Sequence, residues 1–129
     1  MEAILIVDDD LDDISFLVEC IKTRYTGLCL PFTGGKELMA YLELTRILPK
    51  LIVLDVNMPV KDGFCILAEL KADENLRTVP VIMFSTSEHP RDIERCYQLG
   101  CHKFYTKPSS VSGYGAIADE ILADIARLR

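Results

Sequence analysis

Leu51-Ile52-Val53-Leu54-Asp55 is the stretch that decides the fold, an apolar run that ends in a single carboxylate. A short and continuously apolar run is typical of a strand buried on both faces, as in a parallel sheet covered by helices. A turn-rich segment, residues 57–63, follows, and residues 64–70 then place apolar side chains at helical spacing. The stretch therefore predicts a strand–loop–helix unit with an acid at the carboxyl end of its strand.

Four more apolar runs share this design, and each is followed by a helix-like segment. They cover residues 3–7, 28–32, 79–84 and 102–106. In the first helix-like segment, one face carries Leu11, Ile14, Leu17, Val18 and Ile21. Five such units with short connections predict an α/β fold, a flavodoxin-like, doubly wound sheet of five parallel strands. We expect the strand order 2-1-3-4-5, with a switch point between strands 1 and 3.

Composition narrows the classes of function. The chain has 129 residues, the size of one domain with its own core. Its 14 Lys and Arg against 20 Asp and Glu give a net charge of −6, which argues against nucleic-acid binding. No apolar run approaches the ~20 residues of a membrane-spanning helix, and no signal peptide is recognisable. Five cysteines without a Cys-x-x-Cys pair are typical of a reducing compartment, so we expect a cytoplasmic protein.

Polar side chains stand where the predicted strands end. Three acids, Asp8, Asp9 and Asp10, follow the first strand, and a single polar residue stands at the end of each of the third, fourth and fifth strands: Asp55, Ser85 and Lys107. The carboxyl ends of parallel strands meet at one edge, where crowded carboxylates favour a hard cation such as Mg²⁺. A carboxylate can also form an aspartyl phosphate, while an ammonium and a hydroxyl neutralise phosphoryl oxygens. The edge therefore predicts a site for a divalent cation and a phosphoryl group.

The chain resembles the receiver domains of bacterial response regulators. The resemblance spans essentially the whole chain and rests on Asp8-Asp9, residues 54–63 (LDVNMPVKDG), Ser85-Thr86-Ser87 and Lys107-Pro108. It implies that Asp55 is the phosphoacceptor. It implies direct Mg²⁺ ligands from Asp9, Asp55 and the backbone carbonyl of Asn57, with Asp8 acting through water. Lys107 would pair with the phosphoryl oxygens, and the Ser85 hydroxyl would move to bond one of them.

The same resemblance implies a conformational switch formed by Ser85 and Phe104. Inward movement of Ser85 would open space for the Phe104 ring, while Tyr105 faces the other side of the sheet. Phenylalanine lacks the hydroxyl that tyrosine often contributes there, so the ring would respond through packing alone, and a static core ring is the alternative. Asn57, Thr86 and Ser87 lie where the family tunes the lifetime of the phosphoryl bond. The Lys107-Pro108 peptide is expected to be cis.

The function implied by the resemblance is a phosphorylation-dependent signalling switch in a two-component system or phosphorelay. Residues 1–129 would form one receiver domain without an output domain, not a conventional enzyme but one that catalyses its own aspartyl phosphorylation and dephosphorylation. The implied partners are a sensor histidine kinase or histidine phosphotransfer protein, and a downstream protein bound through helix 4, strand 5 and helix 5, roughly residues 89–128. That face also suits a homodimer. Residues 85–100 look like stand-alone receivers related to phytochrome-associated regulators.

Three alternatives stay open on the sequence. A degenerate receiver would bind partners without phosphorylation, although Asp9, Asp55, Ser85 and Lys107 are all intact. A flavin binder shares the strand order, but the acids after strand 1 would repel a flavin phosphate. A phosphatase with an aspartyl nucleophile needs a second carboxylate two residues later, where this chain has Asn57.

Overall fold

The structure of the protein, a computed structural model, describes residues 2–127. Met1, Leu128 and Arg129 lie outside the described residues. Leu128, the last residue of the partner surface predicted over residues 89–128, is among them. The elements are β1 (Ala3–Val7), α1 (Leu11–Lys22), β2 (Leu28–Phe32), α2 (Gly35–Thr45), β3 (Leu51–Asp55), α3 (Gly63–Ala72), β4 (Val81–Ser85), α4 (Pro90–Gln98), β5 (Lys103–Thr106) and α5 (Gly113–Arg127). Within residues 2–127, no helix has the length and apolar character needed to cross a membrane.

The five strands form one parallel sheet in the order β2-β1-β3-β4-β5, which confirms the predicted topology. Val7 at the end of β1 lies opposite Leu54 of β3. Asp55 in turn lies opposite Phe84 of β4, and Ser85 lies opposite Thr106 of β5. This register brings the residues that follow β1, β3, β4 and β5 to a single edge of the sheet.

Two apolar layers enclose the sheet. Leu54 and its neighbours on one face pack with α2, α3 and Cys96 of α4. Val53 and its neighbours on the other face pack with α1 and α5. Successive side chains alternate between the layers because a strand has a period of two. The burial of β1, β3 and β4 on both faces accounts for their uninterrupted apolar sequences.

Two aspartates beside the polar edge are helix caps. The Asp10 side chain accepts the N–H groups of Asp12 and Asp13 at the start of α1, at 3.0 and 3.1 Å. The Asp62 side chain accepts the N–H of Cys65 at the start of α3, at 3.0 Å. A carboxylate at this position satisfies backbone donors that the helix leaves unpaired. Asp10, the third acid after β1, therefore fixes the position of α1.

Three details differ from the sequence-based expectations. The fourth strand begins at Val81 rather than Val79, because Pro80 has no N–H to give to a ladder. Leu11, expected on the buried face of α1, is 65 % exposed because it precedes the part of the helix that packs on the sheet. The expected cis peptide at Lys107-Pro108 was wrong: every peptide bond among the described residues is trans, the isomer favoured for most X-Pro bonds.

Gly63 lets α3 begin directly against the end of β3. A Cβ at this position would overlap the carbonyl oxygen of Asp55 and would lie 2.8 Å from the Cα of Val56. Both contacts are with backbone, which cannot yield without shifting β3. The Gly63 N–H also donates to the Val56 carbonyl at 2.9 Å. The missing side chain therefore sets how closely α3 approaches Asp55.

We predict that Gly63→Ala lowers the free energy of unfolding by about 2 kcal/mol or more, because the added methyl meets fixed backbone. Urea denaturation measures the loss. Gly115→Ala is the matched control, since its Cβ would lie 3.1 Å from the movable Nη2 of Arg24. Alanine favours the helix over glycine, so this control should be neutral or up to about 1 kcal/mol more stable. Equal losses in the two variants would contradict the role of Gly63.

Candidate functional site

The pairing of β1 with β3 brings two buried acids together. Asp8 follows Val7 and therefore lies beside Asp55 at the edge of the sheet. Asp8 is 3 % exposed and Asp55 is 4 % exposed. Asp9, which is exposed, completes the group, and one carboxylate oxygen from each of the three lies within 4.8 Å of the others. The three acids expected to hold a metal are thus close enough to share one ion.

This donor set fits a hard divalent cation. The cluster offers only carboxylate oxygens, the ligands that Mg²⁺ prefers, and no thiolate or imidazole of the kind that selects zinc. Asp8 Oδ1 accepts the N–H of Asp10 at 2.9 Å, which fixes one carboxylate without using all of its acceptor sites. Buried acids this close together repel one another unless a proton or a cation intervenes. A bound cation would therefore relieve the repulsion.

Lys107 supplies the cationic group of the site. Its side chain is 6 % exposed, and Nζ lies 2.9 Å from Asp8, 2.9 Å from Asp13 and 3.4 Å from Asp55. Burial lowers the pKa of Lys107, but its hydrogen bonds to Asp8 and Asp13 and the charge of Asp55 raise the pKa above its usual range on balance. The ammonium therefore stays charged at neutral pH.

Asp55 has a strongly displaced pKa. Burial is the main cause and the negative charge of Asp8 adds to it, and together they raise the pKa of Asp55 from 3.8 to about 7 despite the opposing charge of Lys107. One ammonium does not neutralise three neighbouring carboxylates, so a proton remains on Asp55 in part of the population at neutral pH. A cation at Asp8 and Asp9 would favour the ionised form, which is the nucleophilic one.

Ser85 is fully buried and its hydroxyl already has partners. Its Oγ accepts the Ser87 N–H at 3.1 Å and an Nδ2–H of Asn57 at 3.4 Å. Ser87 in turn donates its own hydroxyl to Asp92 of α4 at 3.2 Å. The Thr86 side chain is exposed. Of the three residues expected to tune the phosphoryl lifetime, Asn57 and Ser87 thus contact Ser85, while Thr86 lies at the surface.

Phe104 and Tyr105 of β5 face opposite layers, as the sequence predicted. Phe104 is half-buried against the layer that contains α2, α3 and Cys96, and its N–H donates to the Tyr97 hydroxyl at 3.1 Å. Tyr105 is buried in the other layer and donates its hydroxyl to Asp124 of α5 at 2.5 Å. The side chain of Phe104 is therefore the one that borders α4.

Two residues of the site were missed by the sequence analysis. Asp13 of α1 contacts Lys107 through Oδ2, and its Oδ1 accepts the hydroxyl of Tyr114 at 3.0 Å. A possible signal for Asp13 was its place in the first turn of a helix that starts at the polar edge. Tyr114 gave no such signal, because its contact with Asp13 joins residues 101 positions apart.

A groove of about 630 Å³ lies away from this site, at the opposite end of the sheet. It is formed by the end of α2 and the connection after α3, and its lining residues are Met39, Leu42, Glu43, Arg46, Ile47, Leu48, Asp73, Asn75 and Leu76. None of the residues predicted to bind a cation or a phosphoryl group is among them. The chemistry-bearing groups are therefore concentrated at the carboxyl edge.

Comparison with known proteins assigns the family. The model of the response regulator receiver domain matches residues 4–114. The chain belongs to this family. Among its relatives, response regulator Rcp1 of Synechocystis sp. is 32 % identical over 112 residues, 82 % of this chain and 76 % of Rcp1. Two-component response regulator ORR3 of Oryza sativa subsp. indica is 30 % identical over 92 % of this chain and 89 % of ORR3.

Solved receiver structures superimpose closely on this chain. The Mn²⁺-bound form of Rcp1 has a TM-score of 0.85 at 30 % identity, covering 94 % of this chain and 91 % of Rcp1. The phosphorylated cyanobacterial phytochrome response regulator RcpA has a TM-score of 0.86 at 34 % identity, covering 93 % and 90 %. These matches confirm the flavodoxin-like fold and the expected similarity to phytochrome-associated regulators. The receiver domain is a phosphorylation-dependent signalling switch of two-component systems, so the flavin-binding and phosphatase alternatives are not supported.

The displaced pKa of Asp55 predicts a pH-dependent stability. Because this pKa is about 7 in the folded receiver and 3.8 when unfolded, the folded state holds more protons between these values. The free energy of unfolding should therefore fall as pH rises from about 4 to 7. Asn cannot ionise, so Asp55→Asn should be about 2 kcal/mol or more stabilising at pH 8 and nearly neutral at pH 4.

Urea denaturation at the two pH values, with EDTA to remove divalent cations, measures this difference. Glu43→Gln is the control, because it removes one negative charge from an exposed position on α2 and reports the effect of net charge alone. Equal stabilisation by Asp55→Asn at pH 4 and pH 8 would contradict the displaced pKa.

Proposed function

We propose that this receiver accepts a phosphoryl group on Asp55 from a phosphohistidine of a sensor kinase or of a histidine phosphotransfer protein, with Mg²⁺ as cofactor. The observation that carries the proposal is the position of Asp55, a buried carboxylate within 4.8 Å of the acids Asp8 and Asp9 and 3.4 Å from the Lys107 ammonium. An Asp of this kind is both a metal ligand and a nucleophile.

The transfer forms one bond and breaks one. A carboxylate oxygen of Asp55 attacks phosphorus, the P–N bond of the phosphohistidine breaks, and the imidazole leaves with that electron pair and takes up a proton. Bound Mg²⁺ supplies positive charge to the phosphoryl oxygens. Lys107 supplies a second positive group to the same oxygens, and because Asp8 and Asp13 hold it in place it needs little reorganisation. The receiver thereby catalyses its own phosphorylation.

Metal binding also follows from the residues of the chain. Asp9 and Asp55 would bind Mg²⁺ directly, together with the backbone carbonyl of Asn57, and Asp8 would act through water. The contacts of Asp8 support its indirect role. Its Oδ1 already accepts the N–H of Asp10 and its Oδ2 contacts Lys107, which leaves Asp8 less free to coordinate a metal directly. Exposed Asp9 has no such restraint from Lys107 in the contacts described for residues 2–127.

The conformational response would start at Ser85. For its hydroxyl to bond a phosphoryl oxygen, it must change its contacts with Asn57 and Ser87, and Ser87 is joined to α4 through Asp92. Movement of this loop would change the space beside Phe104, which borders α4. Asn57, Thr86 and Ser87 would set the lifetime of the phosphoryl bond by controlling water access.

Receiver domains work with histidine kinases and downstream partners. We place the downstream contact, or a homodimer, on α4, β5 and α5, where Tyr97 is 46 % exposed next to the backbone of Phe104. Residues 1–129 would then act as a receiver that signals by protein contact or by relay. The five cysteines are all free thiols, in keeping with a reducing cytoplasmic location.

We predict that acetyl phosphate with Mg²⁺ adds one acid-labile phosphoryl group to Asp55, which intact-mass spectrometry detects. EDTA should prevent the addition, because the phosphoryl charge then lacks its second positive partner. The control Asp55→Asn keeps the size of the side chain but is not a nucleophile of this kind, so it should stay unmodified. An equal adduct on Asp55→Asn, or none on the unaltered protein, would favour the degenerate receiver.

We also predict that Lys107→Ala still accepts a phosphoryl group but fails to switch. Asp55 remains present as nucleophile, whereas the ammonium that joins the phosphoryl group to β5 is lost. Amide NMR shifts in α4, β5 and α5, recorded with and without acetyl phosphate and Mg²⁺, measure the response. Lys103→Ala, which removes an exposed lysine of β5, is the control and should respond as the unaltered protein does. A full response in Lys107→Ala would refute the coupling.

A further inference from the structure

The Lys107 ammonium contacts the carboxylate of Asp13, which does not belong to the proposed metal cluster of Asp8, Asp9 and Asp55. We propose that Asp13 is a positioning residue for Lys107, and that it keeps its contact with the ammonium when a divalent cation displaces the ammonium from Asp8 and Asp55, and so makes it easier for these acids to take up the cation. The inference rests on the metal site proposed above. It adds Asp13 to the residues that set the affinity of that site for a divalent cation.

Asp13 joins three elements of the fold. It lies in the first turn of α1, with its Oδ2 2.9 Å from the Nζ of Lys107, which follows β5. Its Oδ1 accepts the hydroxyl of Tyr114, on α5, at 3.0 Å. The side chain of Asp13 is 25 % exposed, whereas that of Lys107 is 6 % exposed. Each carboxylate oxygen therefore has its own donor, and both donors come from distant parts of the chain.

Tyr114 is well placed to orient Asp13 because its own ring is fixed. The residue is 3 % exposed, and its ring centroid lies 5.6 Å from that of Phe16 and 6.1 Å from that of Phe84. Aromatic pairs at such distances pack with preferred angles. The hydroxyl thus occupies a defined position, and the Asp13 carboxylate that it holds has little freedom to turn away from Lys107.

The role follows from competition between two cations. The Lys107 ammonium lies against Asp8 and Asp55, two of the three acids proposed to hold the divalent cation. A cation entering the cluster meets the repulsion of that ammonium and must replace its contacts. Asp13 is outside the cluster, so its contact with Lys107 persists when the other acids turn to the metal. Without it, the ammonium would hold Asp8 and Asp55 more tightly.

The test compares Asp13→Asn with Asp12→Asn in the full chain. Both remove one negative charge from the first turn of α1, but Asp12 is exposed and is absent from the contacts of Lys107. Amide NMR shifts followed as Mg²⁺ is added at constant ionic strength give the dissociation constant of each protein. We expect Asp13→Asn to raise this constant about threefold to tenfold and Asp12→Asn to raise it less than about twofold.

Tyr114→Phe tests the orienting hydroxyl while it keeps the packed ring. It should raise the Mg²⁺ dissociation constant by a smaller factor than Asp13→Asn, and it should have no further effect when Asp13 is already Asn, because the hydroxyl acts through that carboxylate. Independent, additive effects of the two substitutions would overturn the positioning role.

The outcomes separate this inference from the proposed function. If the unaltered protein shows no saturable shift with Mg²⁺, the metal site itself is wrong and the inference is overturned with it. If the unaltered protein binds Mg²⁺ and the two aspartate variants bind it equally well, the metal site stands and the role of Asp13 is overturned. Urea denaturation of each variant verifies that all are folded during the measurement.

Discussion

The repulsion between Asp8 and Asp55 is the constraint on which the site depends. The parallel register of β1 and β3 places these carboxylates side by side, and the two apolar layers keep water from separating them. Burial and, second to it, the charge of Asp8 raise the pKa of Asp55 to about 7, and Lys107 offsets only part of this rise. A sheet edge with too little positive charge is suited to a divalent cation, and Asp9 adds a third carboxylate for it.

The same crowding would let the proposed phosphorylation of Asp55 act on distant helices. A phosphoryl group on Asp55 would bring further negative charge and three acceptor oxygens into a site where donors are already in use. The Ser85 hydroxyl is held in contacts with the β4–α4 loop, and the Lys107 ammonium is shared among three acids. Neither donor can serve the phosphoryl group without loosening an existing contact. On phosphorylation, these donors would therefore exchange existing hydrogen bonds and ion pairs for contacts with the phosphoryl group, rather than simply gain new contacts.

The sequence was sufficient for contacts set by strand register and insufficient for those set by tertiary packing. Residues that end neighbouring strands, such as Asp55 and Ser85, were predicted because the parallel sheet brings all strand ends to one edge. The contact between Asp13 and Tyr114 depends on how α1 and α5 lie on the sheet, and no local pattern encodes that. Leu11 shows the same limit, since its helical spacing suits a buried face but its place at the helix start leaves it exposed.

The two donors also connect the site to different layers. Ser85 is connected to α4 by its hydrogen bond with Ser87, which bonds Asp92 of that helix. Lys107 is connected to α1 and α5 by its ion pair with Asp13, which accepts the Tyr114 hydroxyl. Phe104 belongs to the first route alone, because it packs in the layer that contains Cys96 of α4. The absence of a tyrosine hydroxyl at this position would therefore affect only the proposed route through Ser85. With Asp13 as the partner of Lys107, the proposed phosphorylation of Asp55 would reach α5 through these contacts without any rotation of the Phe104 ring.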